Sequence, residues 1–396
     1  MVFLFLTLIT KIYANTFLLC HCLKICEINV IRVEALLFLN HRQKIIREFV
    51  ANFFCFKFEK LKTKTMQIIK WGIIGCGNVT EVKSGPAFQK APNSKLVAVM
   101  RRDAALAEDY AKRHNVPKWY SNAQDLINAP EVDAVYIATP PSSHKEYTIL
   151  CAKAGKPVYV EKPMALTFEE CNEMISVCKE HNVPLFVAYY RRALPRFLKI
   201  KEIIDSGKLG TIRHVNCVLY HPFEERYDDE INLPWTVLPH ISGGGIFVDL
   251  ACHTLDFLDY VLGPIQSVRG HATSQLKAYP AEDAVSMSFL FENGIHGSGI
   301  WNFASFERYD NTEIVGDKGK ISFSTFGNDP VHIQYANGEK ESIAIENPLH
   351  IQQPFIETVM AELLGQENAA PSKGISGART TWVIDEVLKE FRAASK

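Results

Sequence analysis

The first 65 residues contain no glycine and no proline; all 22 Gly and all 19 Pro lie beyond them. A compact fold must reverse direction, and Gly, Pro, Asn and Asp are the residues whose backbones do so readily. The same stretch holds nine of the 24 Phe, four of the ten Cys, and ten Lys/Arg against four Asp/Glu. Such a composition excludes an ordinary globular domain there. Its opening, MVFLFLTLITKIYA, lacks the positive start of a secretory signal. Lys11 breaks the first apolar run well short of the roughly 20 residues that a membrane helix needs. Residues 1–65 are therefore read as an N-terminal extension from a mis-called start, with the true start expected at Met66; the alternative is an unstructured or hydrophobic leader. Cys20, His21, Cys22 and Cys26 crowd together, but no second ligand pair follows at finger spacing, and no metal site is expected.

Other shortages exclude other classes. There is no charge of one sign: 43 Lys/Arg against 44 Asp/Glu leaves a net charge of −1, so a nucleic-acid footprint is not expected. Ten Cys in 396 residues make no disulfide framework and fit the reduced, buried thiols of a cytoplasmic protein. No repeat or low-complexity tract is present. What remains is a chain of soluble globular composition, 47% hydrophobic and 22% charged, long enough for two or three domains.

From Met66 the pattern is that of a nucleotide-binding unit. The apolar run Ile68–Ile74 has strand character and is followed at once by Gly75-Cys76-Gly77-Asn78-Val79-Thr80. Gly75 permits the tight turn, and Gly77 lets the backbone approach a pyrophosphate at the start of the next helix. The third fingerprint position is Thr80 rather than Gly or Ala. A second strand, Leu96–Met100, ends where an acid would read a ribose hydroxyl; Arg101 and Arg102 stand there instead. A guanidinium matches a 2′-phosphate in forked geometry, so NADP is favoured over NAD. Asp103 is placed to cap a helix over 103–115. A buried strand over 132–138 ends in Thr139-Pro140-Pro141-Ser142-Ser143-His144, a helix follows to Ala154, and another strand runs over 157–160. This alternation implies a parallel sheet with its ligand at the carboxyl ends of the strands, where Thr139, Pro140 and His144 lie.

Glu161-Lys162-Pro163 sits at the end of that last strand, before a capping box at Thr167-Phe168-Glu169-Glu170. Lys162, between an acid and a proline, suits hydrogen bonding to a substrate hydroxyl. Further on, Ser242-Gly243-Gly244-Gly245 precedes a helical run ending near Leu262, and three glycines allow a ligand close to the backbone. Asp249 and His253 are four apart, on one helix face, so Asp249 is expected to orient the imidazole. His253 is the candidate proton exchanger near neutral pH. From Ile265 the pattern turns strand-like, with runs over 265–272, 284–291, 295–303, 313–315 and 320–323, and helices over 353–364 and 376–393 close the chain.

In GIIGCGNV (72–79), YIATPPSSH (136–144), AGKPVYVEKP (154–163), YRRALP (190–195), GKLGTI (207–212) and SGGGIFVDLACHTLDFLDYVLG (242–263), the chain resembles the Gfo/Idh/MocA family of NAD(P)-dependent oxidoreductases. The resemblance spans essentially all of 66–396. It implies an α/β Rossmann domain over 66–190, then an α+β domain over 191–396 with a large, mostly antiparallel open sheet. It implies hydride transfer between nicotinamide and a sugar, polyol or related carbohydrate, with Lys162, Asp249 and His253 as the catalytic set. Glu161 and Arg192 join Gly75, Gly77, Asn78, Val79, Arg101, Arg102, Thr139, Pro140, His144 and Lys162 as candidate cofactor contacts. Arg191, Trp235, His240 and Tyr220 are further residues that could approach the substrate. A homo-oligomer through the C-terminal sheet is also implied. The same residues would also serve glycoside cleavage with transient use of NAD; a non-catalytic NADP-binding regulator is a further alternative, against which the intact Lys162, Asp249 and His253 set argues.

Overall fold

The computed structural model describes residues 67–229 and 231–394. The expectations for 1–65, including the cluster at Cys20, His21, Cys22 and Cys26, lie outside the described residues.

Six strands form one parallel sheet: β1 (Ile69–Ile74), β2 (Ser94–Met100), β3 (Lys118–Tyr120), β4 (Ala134–Ile137), β5 (Val158–Val160) and β6 (Leu185–Val187). Their order is β3-β2-β1-β4-β5-β6, the doubly wound dinucleotide arrangement with its switch point between β1 and β4. β4, β5 and β6 are buried along their whole length. A parallel sheet is covered on both faces, so its strands read as unbroken apolar runs. The connecting helices are α1 (Asn78–Val82), α2 (Gly85–Lys90), α3 (Ala104–Arg113), α4 (Ala123–Asn128), α5 (His144–Lys153) and α6 (Phe168–Glu180). Asp103 caps α3 by accepting the Leu106 N–H at 3.1 Å. Thr167 caps α6 by accepting the Glu170 N–H at 3.2 Å, while the Glu170 carboxylate reaches back to the N–H of Leu166 at 3.1 Å. A standard capping box would take the N–H of the cap residue itself.

The second sheet has eight strands: β7 (Ile212–Tyr220), β8 (Ile265–Thr273), β9 (Ala284–Phe291), β10 (His296–Asn302), β11 (Tyr309–Gly316), β12 (Gly319–Phe323), β13 (Val331–Tyr335) and β14 (Lys340–Ile343). They run in the order β14-β13-β12-β11-β7-β10-β9-β8, antiparallel except where β10 lies parallel to β7. The remaining helices are α7 (Pro195–Asp205), α8 (Pro239–Ser242), α9 (Ile246–Leu262), α10 (Gln353–Leu363) and α11 (Gly374–Ala394). Strand β9 alternates buried and exposed residues, because one face packs under α9 and the other does not. Three strands, β7, β13 and β14, are not marked by sequence pattern. β7 carries Arg213, His214 and Asn216 among its apolar residues, and β14 (KESI) is polar throughout all but its last residue.

One continuous core runs through both sheets. Trp71 and Tyr136 flank Phe88 at ring-centroid distances of 4.9 and 5.2 Å, and Tyr159 bridges from Tyr136 (4.9 Å) to Phe355 on α10 (5.7 Å). The C-terminal part of the chain thereby returns to pack on the first sheet. Among the described residues no helix is long and apolar enough to cross a membrane.

Candidate active site

The glycine loop after β1 is built as a bare-backbone cradle. Gly75 has φ +90°, and its N–H and that of Cys76 both donate to the Met100 carbonyl, at 2.9 and 3.2 Å. A Cβ on Gly75 would stand 2.7 Å from Thr139 Cγ2, so only glycine fits. At Gly77 a Cβ would meet nothing nearer than the Gly75 carbonyl at 3.9 Å. That position faces open space, with Asn78 exposed and Val79 half-buried beside it. The residues present therefore fit a dinucleotide pyrophosphate. Thr80, at the third fingerprint position, is buried and donates to the Gly77 carbonyl at 2.7 Å. Further along, Gly85 packs closely against α1, where a Cβ would fall 2.2 Å from the Thr80 carbonyl oxygen. Arg101 and Arg102 are exposed at the end of β2. The charge of Arg101 reaches Cys76 inside the loop, whose thiol burial pushes up to about 11. Thr139 and Pro140 sit half-buried at the end of β4, with Ser143 Oγ donating to Thr139 Oγ1 at 2.8 Å.

Lys162 leaves β5 and crosses to α9. Its Nζ donates to Asp249 Oδ1 at 2.5 Å and to the Asp249 carbonyl at 3.0 Å. The Lys162–Pro163 bond is cis. Burial pulls the ammonium down, but the charge and hydrogen bond of Asp249, together with Cys252 and Glu161, outweigh it and hold Lys162 above the ordinary lysine value. Burial likewise raises Asp249, and Lys162 more than reverses this, leaving the carboxyl below its ordinary value. An ammonium from the first sheet and a carboxylate from the helix over the second are thus fixed as an ion pair.

Asp249 does not orient His253, contrary to the spacing argument. It is engaged by Lys162, and no hydrogen bond joins it to the imidazole. His253 is 4% exposed, and its Nδ1 is enclosed without a partner. Its ring lies edge-on to Tyr190 at 5.3 Å, Phe326 at 6.0 Å and Tyr189 at 6.3 Å. Burial first, then the charges of Arg191, Lys162 and Lys83, drive its pKa well below the usual histidine value. Four-residue spacing places two side chains on one helix face, but it does not set their rotamers.

Three candidate cofactor contacts turn inward instead. His144 is fully buried, with Nε2 2.7 Å from the Thr139 carbonyl and Nδ1 3.0 Å from that of Pro163; it braces the loop carrying Lys162. The Glu161 carboxylate accepts from Tyr136 Oη at 2.5 Å, Gln352 Nε2 at 2.7 Å and the Lys162 N–H at 3.1 Å. Arg192 is 3% exposed and makes a forked pair with Asp256, at 2.8 and 2.7 Å, beneath the Tyr260 ring. A buried guanidinium needs such a partner, and α9 supplies it. Arg191 is also buried, against the faces of Tyr190 and Phe326. Trp235 is 44% exposed, His240 is exposed, and Tyr220 is half-buried on β7.

The run Gly243–Gly245 does not face a ligand. A Cβ on Gly245 would lie 2.5 Å from the Glu282 carbonyl oxygen, and one on Gly244 3.1 Å from Glu282 Oε1. The Gly245 N–H donates to Glu282 Oε1 at 2.7 Å. Burial pushes the Glu282 carboxyl up to about 7, against the opposing pull of that N–H. Gln352, Glu282 and Lys83 were not marked by any local motif; each acts on residues far from it in the chain.

The chain matches the model of the oxidoreductase family with an NAD-binding Rossmann fold over residues 69–189, and that of the GFO/IDH/MocA C-terminal domain over 197–322. It is 42% identical over 317 residues to Oxidoreductase P35 of Formosa agariphila, spanning 80% of this chain and 97% of that protein. It is 29% identical to the scyllo-inositol 2-dehydrogenase (NAD(+)) of Bacillus subtilis, over 69% of this chain and 79% of the relative. Among solved structures, levoglucosan dehydrogenase in complex with NADH and levoglucosan shares the fold, with a TM-score of 0.72 at 22% identity over 83% of this chain and 98% of that one. The chain belongs to the Gfo/Idh/MocA family, and it is an oxidoreductase with an NAD-binding Rossmann domain.

Proposed function

We propose that this protein transfers a hydride reversibly between a nicotinamide cofactor and a hydroxyl-bearing carbon of a sugar or polyol, and that it prefers NADP. The reading takes 66–190 as the cofactor domain and 191–396 as the substrate domain. When bound, the nicotinamide supplies the two-electron acceptor or donor. Gly75, Gly77, Asn78 and Val79 hold the pyrophosphate end, Thr139 and Pro140 line the strand edge, and Arg101 and Arg102 favour a 2′-phosphate. The NADP preference is supported by two exposed guanidinium groups where an NAD enzyme has an acid.

The observation that carries the reading is the Lys162–Asp249 ion pair, which fixes an ammonium between the cofactor edge and α9. Lys162 donates to the reacting oxygen and stabilises negative charge as it forms. His253, neutral at working pH, is in the form that accepts a proton from a hydroxyl. Its sealed Nδ1 leaves Nε2 for that exchange. Glu161 and His144 position Lys162 through the backbone on either side of it. The test is single-turnover hydride transfer by Lys162→Met. A loss of about 10²-fold or more is expected for a group acting on the proton in the transition state. A rate within about threefold of wild type would remove Lys162 from the mechanism.

The same reading includes a homo-oligomer through the outer face of the second sheet. There Ile300 (46% exposed) and Tyr309 (46%) lie on neighbouring rows with Val218 and Tyr220. A cytoplasmic setting is supported by six free, buried cysteines among the described residues.

A further inference from the structure

Gln352 stands just before α10, 1% exposed, with both halves of its side-chain amide engaged. Nε2 donates to Glu161 Oε1 at 2.7 Å, and Oε1 accepts from Tyr159 Oη at 2.9 Å. A carboxylate only accepts, so the amide NH2 must face Glu161 and the amide carbonyl must face the phenol. The backbone is tied as well. The Gln352 N–H donates to the Lys83 carbonyl at 3.1 Å, and the Gln352 carbonyl accepts the Ile356 N–H at 3.0 Å, opening α10. Two residues earlier, His350 Nδ1 donates to the Val82 carbonyl at 2.6 Å, which leaves Nε2 to accept from Lys90 Nζ at 2.6 Å. Residues 350–352 are thus fastened to the ends of α1 and α2 before the Gln352 side chain reaches inward.

Its target, the Glu161 carboxylate, is 6% exposed and divides its two oxygens between two tasks. Oε1 is held by two side chains, Tyr136 Oη at 2.5 Å and Gln352 Nε2 at 2.7 Å. Oε2 is thereby turned onto the Lys162 N–H, at 3.1 Å, the peptide from which the lysine side chain departs toward Asp249. Ser84 Oγ lies 3.1 Å from the Tyr136 oxygen and donates to the Val79 carbonyl at 3.3 Å, so the same cluster also reaches α1 at a candidate cofactor contact. A buried carboxylate stripped of one donor carries the desolvation cost of that loss, and its remaining donors must shift to serve it. Here one of those remaining donors is the backbone of Lys162.

We propose that Gln352 is a positioning residue for hydride transfer: through Glu161 it sets the backbone at Lys162, and with it the placement of the ammonium against Asp249. The inference rests on the sugar or polyol oxidoreductase reading and adds to it a residue 191 positions beyond Glu161. Two variants separate this role from simple packing. Gln352→Met fills similar space and removes the donor. Gln352→Glu keeps the shape and makes donation depend on a proton. With the proton bound, the new carboxyl donates to Glu161 as the amide did; with the proton lost, two carboxylates face each other, acceptor against acceptor.

The test uses the full chain and three readouts. They are single-turnover hydride transfer to NADP from D-glucose and from myo-inositol, NADPH affinity from cofactor fluorescence, and the 15Nζ resonance of Lys162, assigned by its loss in Lys162→Met. Gln352→Met is expected to slow hydride transfer about tenfold, to leave NADPH affinity within about twofold, and to move the Lys162 resonance. In a Lys162→Met background the same substitution costs nothing further, because it acts through that lysine. The rate of Gln352→Glu relative to wild type falls as pH rises, with the resonance moving over the same range, while the Gln352→Met ratio stays flat. The other titratable groups around the cluster are Tyr136, Tyr159, His144, Lys162, His350 and Lys90; all are present in both proteins and cancel in the ratio. An unmoved resonance, equal slowing in the Lys162→Met background, or a flat Gln352→Glu ratio overturns the proposal. If Gln352→Met does not fold, the pH course of Gln352→Glu decides. If neither probe is oxidised, or Lys162→Met stays within about threefold of wild type, the redox reading is struck, and the Lys162 resonance alone decides whether Gln352 places the ammonium.

Discussion

Two glycine-rich loops each lead into a helix, and they end in opposite states. At Gly77 the space a side chain would occupy is open, and the backbone faces out. At Gly244 and Gly245 the same kind of space is filled by the chain itself, through Glu282 and Ala281. The physics is shared: the first N–H groups of a helix have no internal partner and attract negative charge. In the first loop no side chain caps the helix, and the pyrophosphate proposed to bind there would bring that charge. In the second it is the buried Glu282 carboxylate, hydrogen-bonded to the Gly245 N–H. A glycine run before a helix therefore says that something comes close, and not whether it is a ligand or another part of the fold.

Substitutions separate the two loops. The largest effect is expected at the closed one. Gly245→Val drives a side chain into the Glu282 backbone and should cost about 3 kcal/mol of stability, read by chemical denaturation and not restored by saturating cofactor. If Gly245→Val folds as well as wild type, the second loop is not closed by packing. Next comes Glu282→Gln, which keeps an acceptor for Gly245 and removes the ionisable proton. With the carboxyl held near 7 when folded, wild type loses stability as pH climbs from the ordinary carboxylate value through about 7. The variant should overtake it above pH 7, by on the order of 2 kcal/mol. A difference between the two that is flat from pH 4 to pH 9 would contradict the raised carboxyl.

At the open loop the expected change is in binding. Gly77→Ala places its methyl in space the protein does not use, so stability should move by less than about 0.5 kcal/mol. Cofactor affinity should fall about tenfold, as the backbone can no longer approach the pyrophosphate. Titration of bound NADPH fluorescence reads this directly, and unchanged affinity would mean that Gly77 is no more ligand-facing than Gly245. The smallest effect is expected for Arg101→Ala with Arg102→Ala: a drop of about tenfold or less in NADP affinity, with NAD affinity unaltered. Equal loss for both cofactors would assign the two arginines to general charge and not to the 2′-phosphate.

His253 offers a pH test of the same kind on α9. Because its folded pKa is depressed, the unfolded chain takes up a proton that the folded one refuses as pH falls below about 6.5. Wild type should therefore lose ground to His253→Asn on acidification from pH 7 to pH 5. A constant gap across that range would show that the imidazole is solvated.

Much of the first sheet was legible in the chain, because each of its features is local. Gly75 is demanded by a turn, β4 and β5 by uninterrupted apolar residues, Asp103 and Thr167 by the helices they cap. The Glu161-Lys162-Pro163 placement at a strand end was equally local. The errors share one cause. Asp249 and His253 do share a helix face, but Lys162, 87 residues away, captures the carboxylate. Arg192 follows the last strand of the first sheet as the family resemblance implies, yet Asp256 draws it into the core. Gln352 braces Glu161 from 191 residues further along. Sequence by itself determined the periodicities, turns and caps, since these depend on neighbours a few residues apart. Which buried charge meets which, and which glycine stays open, was decided only by the tertiary structure, because a charge taken out of water pairs with whatever opposite group the fold brings within reach.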